Sequence, residues 1–323
     1  MCALTWSDIA TTTLEKRSKK LADNVTDNTA LLLRLKQKGK VRPFSGGRVI
    51  LEELEYAENG TAGYYSGYEE IDTTPQSLFT AAEFAIKQAA VAVTASGLEL
   101  LENAGAEQMI DLLEARIKNA EKSLMNLISA GIYSAGTGSG GKQIGGLQLL
   151  VPDAPGSGTV GGIPDATYTW WKSIKYSGTS DGSAAVSASN IKKYLNKLKL
   201  QLIRGNDAPD FVAFDNTYYE LLLESLQAIQ VIADPKLADA GFQTLKFNGM
   251  DCVCDGGQGG ACPTAHAYML NTNYLSYRPH SARNMVVIGG ERQPVNQDAI
   301  VKIIAWAGNL TVSNRSLQGV LIA

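Results

Sequence analysis

Residues 134–146 read SAGTGSGGKQIGG, and Gly136, Gly141 and Lys142 fit the start of the phosphate-binding pattern G-x-x-x-x-G-K-[ST]. In that pattern backbone N–H groups and the N-terminus of a following helix converge on a phosphate, and a Ser or Thr hydroxyl binds Mg²⁺. Here Gln143 stands where the hydroxyl belongs. The flanks are inverted as well. GAEQMIDLLEARIKNAEKSLMNLISAGIY, with helical spacing, enters the stretch, and the extended, turn-rich QIGGLQLLVPD leaves it. FVAFD at 211–215 resembles a magnesium-binding strand end, but an apolar run closed by Asp is common at any strand end. The stretch therefore reads as a loop, and a P-loop-like nucleotide-binding enzyme is the weaker alternative.

The sequence has four cysteines, three of them in MDCVCDGGQGGACP as Cys252, Cys254 and Cys262, with His266 following. Structural zinc prefers two C-x₂₋₄-C pairs, or Cys with His at matching spacing. A C-x-C and one further Cys fit poorly. Residues two apart on a strand face the same side, so Cys252 and Cys254 read as small apolar fillers. His266 and His280 are the only histidines, and neither G-x-S-x-G, H-E-x-x-H nor S-x-x-K occurs. The expectation is a protein with no catalytic residues, no cofactor and no metal.

These segments sit in a chain of 323 residues, 45% hydrophobic and 19% charged, with a net charge of −3. That is ordinary globular composition, long enough for two core-forming units. MCALTWSDIA is too short and polar for a signal-peptide core, and no apolar run suits a membrane span, so a soluble cytoplasmic product is expected.

Residues 1–40 read as a helical arm carrying Lys16, Arg17, Lys19, Lys20, Arg34, Lys36, Lys38 and Lys40, either a solvated face or one turned to nucleic acid or an acidic partner. The charge then inverts: Glu52, Glu53, Glu55, Glu58, Glu69, Glu70 and Asp72 face a lone Arg48. RVILEELEYA and GYYSGYEEI flank ENGTA, whose Asn59-Gly60 is a hairpin signal because both residues tolerate positive φ. The pattern predicts a two-stranded ribbon too long to be stable alone, with Tyr56, Tyr64, Tyr65 and Tyr68 suited to another surface.

The Ala- and Val-rich FTAAEFAIKQAAVAVTASG comes next, then an amphipathic helix with Ile110, Leu113, Ile117, Ala120, Leu124, Leu127 and Ile128 on its buried face. In SASNIKKYLNKLKLQLIRG the spacing of Ile191, Leu195, Leu198 and Leu202 predicts a helix closed by Gly205, with Lys192, Lys193, Lys197, Lys199 and Arg204 on its outer region. DFVAF reads as a buried strand and NTYYELLLESLQAIQ as a helix, giving a mixed α/β unit over roughly 160–275. NMVVIGG, AIVKIIAWAGNLTVSN and QGVLIA read as terminal strands.

This succession of parts resembles the major capsid proteins of tailed bacteriophages. The stretches that carry the likeness are VRPFSGGRVILEELEYAENG, DLLEARIKNAEKSL, YSAGTGSGGKQIGGL, NTYYELLLESLQAIQ and AWAGNLTVSNRSLQG. The resemblance implies an α+β phage major-capsid fold: an N-terminal arm at 1–40, an extended hairpin loop at 41–80, a peripheral domain with a long spine helix at 81–150 and 280–323, and an axial α/β domain at 151–279. It implies a subunit that self-assembles into hexamers and pentamers of an icosahedral shell around double-stranded DNA, without sequence-specific DNA binding. The implied setting is the virion, after assembly in the host bacterial cytoplasm, with scaffolding, portal or decoration proteins as further candidate partners and no membrane.

On this reading the assembly residues are those of the extended loop, Glu55, Tyr56, Glu58, Asn59, Gly60, Tyr64, Tyr65 and Tyr68, and the candidate basic contact patch is Lys192, Lys193, Lys197, Lys199 and Arg204. Two departures matter. Some relatives cross-link through a loop lysine, yet no Lys occurs between Lys40 and Lys87, so a non-covalent shell is expected. About forty residues precede the loop, too few for a built-in scaffolding segment, so any scaffold is expected to be separate. A bacterial nanocompartment shell enclosing a cargo enzyme shares the fold and is the nearer alternative.

Overall fold

The computed structural model describes residues 29–98, 106–226, 244–256, 260–292 and 299–323. It is an α+β molecule built on a six-stranded sheet, a four-stranded sheet and a two-stranded ribbon. Chain order begins with helix α1 (Ala30–Gln37), then ribbon strands β1 (Val49–Glu55) and β2 (Phe79–Ala85). Strand β3 (Lys87–Ser96) and the long helix α2 (Ala106–Ile132) follow.

The six-stranded sheet runs in the order β6 (Ile174–Ser177), β14 (Gly319–Ile322), β10 (Ala267–Leu270), β7 (Phe211–Phe214), β9 (Met250–Cys254), β8 (Thr244–Phe247). Strand β7 is buried at every position because both faces of the sheet are covered. Val212 and Phe214 pack with helices α3 (Ile191–Leu202) and α4 (Asn216–Leu226). Phe211 and Ala213 point the other way, into the main core with Tyr133, Leu147 and Trp171. Asp215 caps α4, accepting the Tyr218 N–H at 3.0 Å and the Thr217 N–H at 3.2 Å.

In the four-stranded sheet the fourteen-residue β13 (Ala299–Val312) is central. One of its edges pairs with β3 from Ala299↔Ser96 to Gly308↔Lys87. The other is shared end to end by β12 (Val286–Arg292) and β11 (Leu275–Pro279). The sequence-based boundary at 279/280 runs through both sheets: β11, before it, pairs with β13, and β14, after it, inserts between β6 and β10.

Two further expectations need correction. The ribbon partner of β1 is β2, in register from Val49↔Ala85 to Glu55↔Phe79, and GYYSGYEEI forms no strand. FTAAEFA alternates so that Ala82 and Phe84 cover Ile50 and Leu54, an inward face that GYYSGYEEI cannot supply. Leu127 is 55% exposed. The buried row of α2 is Ala120, Leu124 and Ile128, and Leu127 lies about 100° around the helix from Ile128. Ile110 and Leu113 lie outside the residues whose side chains are described.

The glycine stretch closes α2. After Tyr133 the chain turns back on itself: Ala135 bridges Gly145 antiparallel, and Gly146 N–H donates to Ser134 C=O at 3.0 Å. A Cβ on Gly146 would lie 2.3 Å from Ile132 O, and one on Gly131 2.9 Å from Ile144, so the return is packed on the helix end. Gly136, Ser139, Gly140 and Gly141 take positive φ. Gly141 N–H and Gln143 N–H are spent on Thr137 and Gly138 carbonyls. Lys142 is exposed, and the element entering this loop is a helix.

Candidate assembly surfaces

The loop between β1 and β2 starts from a pinned root. Ile50, Glu52 and Leu54 of β1 face the body of the molecule. Glu52 is the anomaly in that apolar row, and it is paired: Arg278 Nη1 lies 2.6 Å from its Oε1, and the Thr311 hydroxyl donates to the same oxygen at 2.9 Å. A charge this buried persists only with partners of that kind. On the far edge of the ribbon, Glu83 N–H donates to Gly161 C=O at 2.9 Å, in the turn between β4 (Thr159–Val160) and β5 (Ile163–Pro164). Gly161 has φ +62°, and a Cβ there would meet Ala82 at 2.8 Å.

Tyr56 closes the root. Its ring stacks on Trp170 at 5.3 Å and 23°, its hydroxyl contacts Ser77 at 3.1 Å, and its N–H donates to Leu78 C=O. Of the eight expected loop residues, Tyr56 therefore holds the loop to its own subunit. Beside it opens a groove of about 500 Å³ lined by Phe79, Tyr168, Trp170 and Gly161 among others.

Beyond the root, local turns shape the loop. The Asn59 side chain accepts from Thr61 N–H at 3.0 Å, and its carbonyl accepts from Ala62 N–H, so Asn59-Gly60 does form a turn. Neither residue takes positive φ, and the turn is not the tip of a paired hairpin. Glu69 accepts from Ser66 N–H at 2.9 Å. The hydroxyl and amide of Thr74 hold the Asp72 carboxyl below the usual carboxylate range. Tyr64, Tyr65 and Tyr68 are exposed, as are Glu55, Glu58, Asn59 and Gly60.

The structure splits the candidate basic patch. Lys192 donates to Ser225 C=O at 2.8 Å, Lys199 to Asn248 C=O, and Lys197 to the Tyr176 hydroxyl at 3.2 Å while standing over that ring. Burial lowers the Lys199 pKa. These three tie α3 to its own domain. Lys193 and Arg204 point outward and are exposed.

Residues that sequence reasoning missed do the anchoring elsewhere. Arg315 and Asp165 form a fully buried ion pair at 2.5 Å, with Arg315 Nε donating to Leu150 C=O and its guanidinium over the Trp171 ring. The Trp170-Trp171 dipeptide in YTWWKSIKY was the available signal: one indole takes Tyr56, the other Arg315. Arg34 of α1 reaches Asp251 at 3.0 Å and Asp210 at 3.3 Å, and Lys38 reaches Asp210 at 2.9 Å. This part of the basic arm thus meets acidic groups of its own chain, and Lys16, Arg17, Lys19 and Lys20 lie outside the described residues.

His266 Nε2 lies 3.0 Å from Asp153 Oδ1, while Cys254 contacts Asn216 and burial pushes the Cys252 thiol up to about 12. Among the described residues no cluster of three His, Cys, Asp or Glu side chains could hold a metal, and no helix is long and apolar enough to cross a membrane.

No protein-family model matches the chain, and no curated protein matches it. Solved structures do. The cyanophage A-1(L) capsid asymmetric unit matches with a TM-score of 0.66 at 15% identity, covering 88% of this chain and 91% of that one. The capsid of a native GTA particle matches at 0.58 and 13%, covering 89% of each chain. A structure from Mycobacterium phage Bobi matches at 0.55 and 10%, covering 91% and 90%. At these identities the likeness is one of fold, and it covers about nine-tenths of the chain: the chain has the phage capsid fold.

Proposed function

We propose that this chain is the major capsid subunit of a tailed bacteriophage, a structural protein that self-assembles into hexamers and pentamers of an icosahedral shell enclosing double-stranded DNA. The observation that carries the reading is the 56–78 loop: it leaves a pinned root, exposes Tyr64, Tyr65 and Tyr68, and belongs to a chain with the capsid fold. An aromatic-bearing loop with nothing to cover it gains by lying on a neighbouring copy. Because 41–86 contains no lysine, the shell is held together without a loop-lysine cross-link. The net charge of −3 suits a container wall that DNA does not adhere to. Scaffolding, portal or decoration proteins complete the particle, which is built in the host bacterial cytoplasm.

Electron microscopy of the protein expressed alone tests the reading, with closed shells, tubes or capsomer rings as the expected result. Replacing 58–76 by a Gly-Ser link keeps Tyr56 and Ser77 in place. That variant stays folded and forms no shells, because the loop buries its surface only against another copy. Normal particles from it would overturn the proposal. A denaturing gel of wild-type particles shows monomer, and a ladder would remove the non-covalent claim.

A further inference from the structure

Two exposed surfaces of the chain are each incomplete in the same way. The register Leu51↔Glu83, Glu53↔Ala81, Glu55↔Phe79 gives the ribbon an outward face of three glutamates with Ala81 and two large apolar residues, Leu51 54% and Phe79 72% exposed. On α3 the exposed positions are Lys193, Asn196, Lys197, Leu200 and Gln201, followed just past its end by Ile203 and Arg204. Lys193, Asn196 and Leu200 follow the i, i+3, i+7 spacing of one helix face, and Ile203 and Arg204 lie on the extended chain that leaves it. Leu200 is 73% and Ile203 40% exposed. One surface is thus acidic around two bare apolar groups, the other basic around two. Their lengths agree too: four residues of strand from Leu51 to Glu55 span roughly 14 Å, and the helical part from Lys193 to Leu202 roughly 14 Å. Within one chain each remains open.

We propose that the outward face of the β1–β2 ribbon docks on the α3 stripe of a second copy, Glu53, Glu55 and Glu83 meeting Lys193 and Arg204 while Leu51 and Phe79 cover Leu200 and Ile203. The contact rests on the shell reading above and deepens it by naming which surfaces meet. The apolar residues supply the attraction, and the charges fix register and partner, since exposed ion pairs alone contribute little. Lys192, Lys197 and Lys199 stay with their own domain and take no part.

Charge reversal on each side, alone and together, provides the test: E53K/E55K/E83K on the ribbon and K193E/R204E on α3, scored by particle yield in sedimentation and electron microscopy. Thermal unfolding of the unassembled proteins controls for folding. Where a reversal lowers Tm, the smaller reversals E53K/E83K and K193E or R204E replace it, so that the combined variant still pairs opposite charges. Each set alone lowers particle yield by roughly tenfold or more, and the combined variant recovers it. Undiminished yield from either set, or no recovery on combination, overturns the contact while leaving the shell reading standing. Absence of any particle from the wild type overturns both.

Discussion

The three positions Lys142, Gly140 and Gly146 separate a loop that bends from a loop that binds phosphate. Lys142 is exposed and its side chain would be the phosphate contact in the enzyme reading. Lys142→Ala changes stability by less than about 0.5 kcal/mol, as exposed substitutions do. Gly140 has φ +67°, and a Cβ there would meet nothing within 4 Å, so Gly140→Ala carries only the backbone penalty, about 1 kcal/mol. Gly146 has an ordinary φ of −89°, yet its Cβ would lie 2.3 Å from Ile132 O and 2.4 Å from Gly131 O. Both atoms are backbone at the end of α2, and neither can rotate away. Relief requires the helix end and the returning chain to part by nearly 1 Å, and Gly146→Ala costs about 3 kcal/mol. Urea unfolding of the unassembled protein, at constant m-value, reads the series. The order Lys142, Gly140, Gly146 is expected, with no ATP binding in wild type by equilibrium dialysis. A Gly146→Ala protein as stable as wild type, or nucleotide binding that Lys142→Ala abolishes, would refute the account of this loop.

Other perturbations follow from the buried polar groups. Arg315→Met strands Asp165 without its partner and costs about 3–5 kcal/mol, whereas the double variant with Asp165→Leu recovers most of it, measured by thermal unfolding. Glu52→Gln keeps shape but removes the charge facing Arg278, costing about 1–2 kcal/mol for a pair still partly reached by solvent. Burial would raise the Asp210 pKa, but Lys38 and Thr272 more than offset it and the net shift is downward. The folded state therefore holds fewer protons than the unfolded one between the two pKa values. Its stability contribution is present above about pH 4 and lost as pH falls through the folded value. Asp210→Asn removes that acid limb, visible as a shallower loss of Tm as pH falls below about 4.

Much of the architecture was legible because local patterns and tertiary packing agree. The spacing of Ile191, Leu195, Leu198 and Leu202 marks α3, and all four are buried. DFVAF is a buried strand for the reason its composition suggests. The ribbon was legible only in part. Strand β1 alternates cleanly, but its partner lies beyond a loop of more than twenty residues, and a nearer turn signal at Asn59-Gly60 competes for it. Of the candidate contact residues, the exposed tyrosines emerge as expected, while Tyr56 and three of the five basic residues turn inward to Trp170, Ser225, Tyr176 and Asn248. Sequence spacing gives the face of an element and says nothing of which long side chains fold back onto it. Arg315 and Asp165 lie 150 positions apart, and beyond the Trp170-Trp171 dipeptide nothing in the sequence points to their pairing.

Only Ile86 separates β2, which belongs to the ribbon, from β3, which belongs to the sheet, and Asn309 of β13 holds the Ala85 carbonyl at that junction with a 2.8 Å hydrogen bond. The ribbon is in mechanical terms a cantilever: clamped at Asn309, Arg278 and Gly161, unsupported past Tyr56. The clamp runs the whole length of the strand pair, since Ile50, Leu54, Ala82 and Phe84 sit in the main core and Tyr56 stacks on Trp170, so the overhang is the loop from 57 to 76. A loop carried this way can change its inclination from residue 57 onward with no repacking of the core beneath its root.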